Sequence, residues 1–429
     1  MPPPPHTPRY ESLDVWRGAA CLSILLTHSV AGYVATPELE ARVRAEGGSV
    51  ADWLVVLSAR LWVGVPLFFV ISGYCIAAAA DAARRKPRAG GTFFKRRFRR
   101  IYPPLWAFLA VAAAGVALLP AAALPGPTSD HVRPLPRPWE LAPAQWLGSL
   151  TLTESWRHHL GGPGTDYFAK QLWTLCYEEQ FYLVVGLIVL VARQWLFPLA
   201  AAISLAVYLN VADLNAVLGD RIGVDLNAYQ RPLRGFFFDG LWLAFAAGIA
   251  VYYRANHATP VTRWCLDGVL AAGLVSTARA VPTPWDFQAN LTGELLTAFA
   301  AALLLGWLHG ADAALASARA TAPLRWAGRR CYSLYLVHCP VAPLIQWNLY
   351  RCGVTGPTEA LLVTVPLACA ASLAAAWAFH RAVESRFLNA PPPPPVPGGS
   401  DATRGTDAAD APLAVLTGSG VPGPAPVPR

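Results

Sequence analysis

Arg17 and His28 stand eleven residues apart in the first apolar run of this 429-residue chain. On an α-helix, eleven steps of about 100° return to nearly the same face, roughly 16 Å further along the axis. A bilayer's hydrocarbon core is about 30 Å thick. With Arg17 at the inner interface, His28 falls near the midplane. An ionisable side chain at that depth is costly and points to function. The plainer reading is a packing histidine held by a hydrogen bond. The functional one is a general base for a hydroxyl, because imidazole titrates in the range this task needs. A second histidine closes the run Cys331-Tyr332-Ser333-Leu334-Tyr335-Leu336-Val337-His338. Counted from Trp326, it lies roughly 18 Å from the inner side, again near the midplane.

Two further groups could serve this pair. Glu178 and Glu179, in Leu172-Trp173-Thr174-Leu175-Cys176-Tyr177-Glu178-Glu179-Gln180-Phe181-Tyr182-Leu183, open an apolar run from the outer side. Neighbouring helical residues diverge by about 100°, so the two carboxylates are expected to have different partners. One would orient or charge-stabilise a histidine and the other would pair with an arginine. The second group is the run Phe93-Phe94-Lys95-Arg96-Arg97-Phe98-Arg99-Arg100-Ile101-Tyr102-Pro103, read as an inner loop. Its prolines, Pro103 and Pro104, suit the first turn of the following helix, where no amide hydrogen is needed. By itself this charge reads as a positive-inside anchor or an anionic-lipid contact. Alternatively, guanidinium forks make a phosphate cradle. The segment Phe68-Phe69-Val70-Ile71-Ser72-Gly73-Tyr74 reads as helix packing through Ser72 and Gly73.

These residues must be positioned by membrane helices. The chain is 55% hydrophobic and only 14% charged, against about 25% charged for a soluble chain. Its net charge of +8 raises the question of nucleic acid, but the arginines lie mostly between apolar runs, where membrane orientation explains them. The expected fold is all-α, a polytopic transmembrane bundle of about ten spans. They run over residues 15–33, 61–80, 101–119, 172–191, 196–211, 236–253, 264–277, 291–308, 326–350 and 360–379. Lys and Arg are in excess on the side holding the N-terminus, which places both termini in the cytoplasm. The first span lacks a basic region before it and a clear cleavage site after it, and so reads as retained rather than as a signal peptide. Residues 1–9 read as a disordered, proline-rich N-terminus and 10–388 as one membrane domain. Residues 389–429 read as a disordered Pro/Gly/Ala-rich cytoplasmic tail, too short for a further folded domain. The eight cysteines form no Cys-x-x-Cys pair and read as buried small hydrophobes. No metal site is expected.

Together these phrases resemble acyltransferase family 3, the membrane O-acyltransferases. Arg17 and His28 match the family's Arg/Lys-x10-His pattern. Leu67-Phe68-Phe69-Val70-Ile71-Ser72-Gly73-Tyr74 is similar to its Leu-Phe-Phe-Val-Leu-Ser-Gly-Phe phrase. Arg97-Phe98-Arg99-Arg100 matches its Arg-x-x-Arg element. Trp173 to Tyr182 resembles Trp-Ser-Leu-x-x-Glu-Glu-Gln-Phe-Tyr, with Thr174 in place of Ser. Tyr332 to His338 and Glu384-Ser385-Arg386-Phe387 match the closing phrases. The phrases occur in order over residues 10 to 388.

The resemblance implies transfer of an acyl group, often acetyl, from a coenzyme A thioester to a hydroxyl of a glycan, a lipid-linked saccharide or a natural product. It implies acyl-CoA as a co-substrate, no tightly bound cofactor, membrane lipids as surroundings and no nucleic acid. The setting would be a bacterial cytoplasmic membrane. His28 would be the base, and Glu178 or Glu179 would orient it. His338 would contact the acceptor hydroxyl or donate to an oxyanion. Arg96, Arg97 and Arg100 would hold the coenzyme A phosphates, and Arg17 would guide the donor or shape the surroundings of His28. Direct transfer and an acyl-His28 intermediate are both compatible. The alternative is a transporter using Arg17, His28, Glu178 and His338 as a relay, which inverted repeats would support. The sequence shows none.

Overall fold

The computed structural model describes residues 10–31, 33–85, 89–125, 136–159, 168–211 and 239–388. The expected disordered ends lie outside them, as do positions 126–135 and 160–167 of the long outer segment and the start of the sixth span.

Among the described residues the fold is all-α. Its ten longest helices are α1 (Leu13–Val30), α2 (Gly64–Ala83), α3 (Ala89–Leu118), α4 (Leu172–Val191), α5 (Leu196–Val211), α6 (Leu241–Asn256), α7 (Pro260–Arg279), α8 (Leu291–Leu308), α9 (Cys331–Arg351) and α10 (Val365–Ala382). Each expected span falls on one of them. Six helical stretches are long and apolar enough to cross a bilayer, and they contain α2, α3, α4, α5, α8 and α10. The protein is an integral membrane protein. Of the other four helices, α6 has only 16 residues, and the rest carry polar or charged groups such as His28, Asp267 and His338.

Two boundaries differ from expectation in ways that matter for the site. The arginine run is not a loop: α3 begins at Ala89 and carries Pro103 and Pro104 inside it. Those prolines cannot bond back to the carbonyls one turn earlier, yet the helix continues through them. Arg97 and Arg100 therefore lie three residues apart on one helical face. The ninth span is also divided. A short helix, Ala322–Gly328, precedes α9, which starts at Cys331. His338 is thus only about 10 Å into its helix.

Lipid offers no solvophobic reason for one helix to seek another, so close approach through small residues carries the packing. A Cβ on Gly73 of α2 would overlap the Phe245 carbonyl of α6, and one on Gly248 of α6 would overlap the Val70 carbonyl of α2. Likewise Gly18 of α1 rests on the Leu324 carbonyl, and Gly328 on that of Asp14. Gly73→Leu is expected to drive α2 from α6 and cost about 1–3 kcal/mol or more. The check is thermal unfolding in detergent. Gly91→Leu, whose Cβ meets nothing within 4 Å, is the control, and equal melting of the two variants would contradict this packing.

Candidate active site

α1 and α9 run side by side and in register. Cys21 Sγ donates to the Cys331 carbonyl at 3.7 Å, and the His28 and His338 rings lie 5.3 Å apart, centroid to centroid. Both pairs are separated by 310 residues, so the two helices keep step over two turns. Gln346, buried in α9, donates its Nε2 to the His28 carbonyl. Gln171 Nε2 donates to the Leu336 carbonyl at 2.8 Å, tying α9 to the start of α4. At the foot of α9 the buried Glu384 accepts from the Ser333 amide at 3.3 Å and from the Ser333 hydroxyl. It also lies 2.9 Å from His380 Nδ1. A carboxylate at a helix N-terminus satisfies open amides and complements the helix dipole, so Glu384 anchors the helix that presents His338.

His338 is buried, and its Nδ1 stands 2.8 Å from the Leu334 carbonyl. A carbonyl only accepts, so Nδ1 carries the proton and Nε2 keeps its lone pair in the neutral ring. That Nε2 lies 3.4 Å from Cys339 Sγ. His28 is half-buried, and one ligand atom each from His28, His338 and Cys339 lie within 4.8 Å of one another.

Both histidines line a cavity of about 1430 Å³ that runs well beyond them. Towards the start of α1 its wall includes Arg17, Arg97, Arg100 and Tyr332. Beyond His28 it includes Thr36, Glu40, Glu140 and Lys170. Arg17 is buried. It is neutralised by Asp14 at 2.9 Å and donates to Cys75 Sγ at 3.0 Å. Arg100 lies in the electrostatic range of Arg17 and Arg97 and has no ion-pair partner among the described residues. Arg97 lies 4.3 Å above the Tyr182 ring. Arg96 does not line the cavity, because neighbouring helical residues diverge by about 100° while residues three apart share a face.

The glutamates separate as adjacent helical residues must. Glu178 lines the cavity and accepts from Ser72 and Tyr182 hydroxyls, which are 2.8 Å from each other. Glu179 turns away and accepts from Tyr102 at 3.2 Å. Among the described residues no hydrogen bond joins either glutamate to either histidine. The orienting group on His338 is the Leu334 carbonyl, one turn earlier on the same helix, rather than a carboxylate. Sequence reasoning also missed Tyr182, Ser72, Gln346, Lys170 and Cys339. Tyr182 was within reach, since it stands four residues after Glu178 on one face. The others depend on which helices meet.

The sequence model for the acyltransferase domain of acyltransferase family 3 matches residues 10–381. The chain is 25% identical over 291 residues to the peptidoglycan O-acetyltransferase OatA of Listeria monocytogenes, covering 66% of this chain and 45% of that protein. It is 26% identical over 307 residues to the "Putative peptidoglycan O-acetyltransferase YrhL" of Bacillus subtilis, covering 66% and 44%. The chain thus spans less than half the length of these relatives. No solved structure matches it.

Proposed function

Because the chain belongs to acyltransferase family 3, we propose that it transfers an acetyl group from a coenzyme A thioester to a hydroxyl of a cell-envelope glycan. One observation carries this reading: a single cavity joins Arg97 and Arg100, neither of which makes an ion pair with a carboxylate among the described residues, to the histidine pair. Half-buried guanidinium groups with no carboxylate in direct contact can take an anion, and their forks suit phosphates. The cavity then gives the extended thioester arm a course along α1 towards His28.

In this reading His28 takes the proton of the acceptor hydroxyl as its oxygen attacks the thioester carbonyl, and the coenzyme A thiolate leaves. His338 supports His28. With its Nδ1 proton committed to Leu334, its Nε2 lone pair receives an N–H from His28 or the acceptor hydroxyl itself. It is no oxyanion donor in the neutral form, since Nε2 has no hydrogen. Glu178, held by Ser72 and Tyr182, fixes the Tyr182 ring over which Arg97 lies. Arg17, already paired with Asp14, shapes the passage.

All ten helices cross the bilayer in this reading, so both ends of the helical domain lie on one side, which the Lys/Arg excess makes the cytoplasmic side, where acyl-CoA is found. The acceptor approaches through the opposite mouth, beside Lys170 and Glu140. The named activity of both relatives makes peptidoglycan the first acceptor to test, in a bacterial cytoplasmic membrane.

The experiment is the full chain in proteoliposomes with acetyl-labelled acetyl-CoA and soluble peptidoglycan fragments. Alkali-labile label should move to the glycan, with free coenzyme A released in equal amount. Label that stays on coenzyme A in the presence of folded protein and a panel of glycan acceptors would contradict the proposal.

A further inference from the structure

We infer that His28, His338 and Cys339 form a binding site for a borderline divalent cation of the zinc class, and that its occupancy blocks acyl transfer. The blocking half rests on the function proposed above; the binding half stands on geometry alone.

Zinc takes imidazole nitrogen at about 2.0–2.1 Å and thiolate sulfur at about 2.3 Å in a tetrahedral shell, which sets donor atoms about 3.5 Å apart. His338 Nε2 and Cys339 Sγ already stand at 3.4 Å. The His28 donor atom lies within 4.8 Å of both. Its ring makes no hydrogen bond among the described residues, so a small side-chain rotation closes the remaining gap. The His338 tautomer is also the ligating one. Nδ1–H is held by the Leu334 carbonyl, the outer partner that metal-bound imidazoles commonly have, and Nε2 is left to bind. Two histidines and one cysteine fill three positions, and the cavity leaves the fourth open to solvent. The soft sulfur favours zinc or cadmium over magnesium or calcium. Lys170 lines the same cavity, and the thiolate that forms as the thiol gives up its proton offsets that charge.

A cation held there occupies the lone pairs that the transfer needs. Cys339 is the one soft ligand of the three and takes no proton in the transfer proposed above, which makes it the discriminating position. The test uses the purified full chain titrated with Cd²⁺, read by thiolate-to-cadmium charge-transfer absorption. One equivalent should produce the band in the native protein and in Cys352→Ser, a change at an exposed thiol. The band should be lost in Cys339→Ser. In parallel, Zn²⁺ should inhibit acetyl transfer, with at least tenfold weaker inhibition in Cys339→Ser, each protein being measured against its own metal-free rate. An unchanged band in Cys339→Ser overturns the site. Equal Zn²⁺ inhibition of the two proteins overturns the block, and so does activity lost to a chelator and restored by zinc. The absorption arm needs no turnover, so it still reads if no acceptor is acetylated.

Discussion

His28→Ala is expected to lower acetyl transfer by at least about a hundredfold, the lower end of what a positioned general base contributes. The protein should fold and bind acyl-CoA as before, because the His28 ring makes no hydrogen bond among the described residues. The position of α1 is held instead by its backbone, through Gln346 to the His28 carbonyl and through Gly18 against Leu324. His338→Ala should cost about tenfold to a hundredfold. The ring lies 5.3 Å from His28 and acts through the lone pair left by its bond to Leu334. Groups that work as a unit are not additive. The double variant should therefore be no slower than His28→Ala alone. Initial rates of glycan ester formation at saturating acyl-CoA measure all three. Full activity in His28→Ala would remove it from the chemistry, and strictly multiplicative losses would mean that the histidines act separately.

The second large effect is expected at the arginine end. Arg97→Ala and Arg100→Ala should each raise the KM for acyl-CoA by roughly tenfold to a hundredfold, as losing a charge-assisted hydrogen bond of about 1.5–3 kcal/mol implies. Their kcat should change little, because the phosphates are far from the reacting carbonyl in both ground and transition states. Arg97→Lys should recover only part of the loss, since an ammonium cannot reproduce the planar fork. Arg96→Ala is the internal control, because Arg96 does not line the cavity. Rates across a range of acyl-CoA concentrations decide the matter. An unchanged KM in the Arg97/Arg100 double variant, or an Arg96→Ala effect as large as the others, would move the donor site elsewhere.

The local features were legible from the residues themselves. Apolar runs bounded by arginines placed ten helices, because a bilayer requires long stretches with satisfied backbones and few charges. The 3.6-residue period put Arg17 and His28 on one face and sent Glu178 and Glu179 to different partners. Where this local reading failed, it was at prolines and arginines. Pro103 and Pro104 suggested a helix start, but α3 continues through them, and so Arg97 and Arg100 became a face rather than a loop.

What the tertiary structure alone decided is which faces meet. Nothing in the periodicity of α1 names α9 as its neighbour or sets the register that brings His28 beside His338 and Cys339. Apolar surface facing lipid looks much like apolar surface facing another helix, so the pattern that marks a soluble helix's inner face is absent. The choice rests on close approaches at glycines such as Gly18 and Gly328, and on long-range bonds such as Gln346 to His28 and Ser333 to Glu384. Hence the apolar runs and the motif phrases were enough to give a membrane acyltransferase with a histidine on each of two helices. Only the packed helices made those histidines neighbours, bonded Glu178 to Ser72 and Tyr182 rather than to a histidine, and opened one cavity from the arginines past them both.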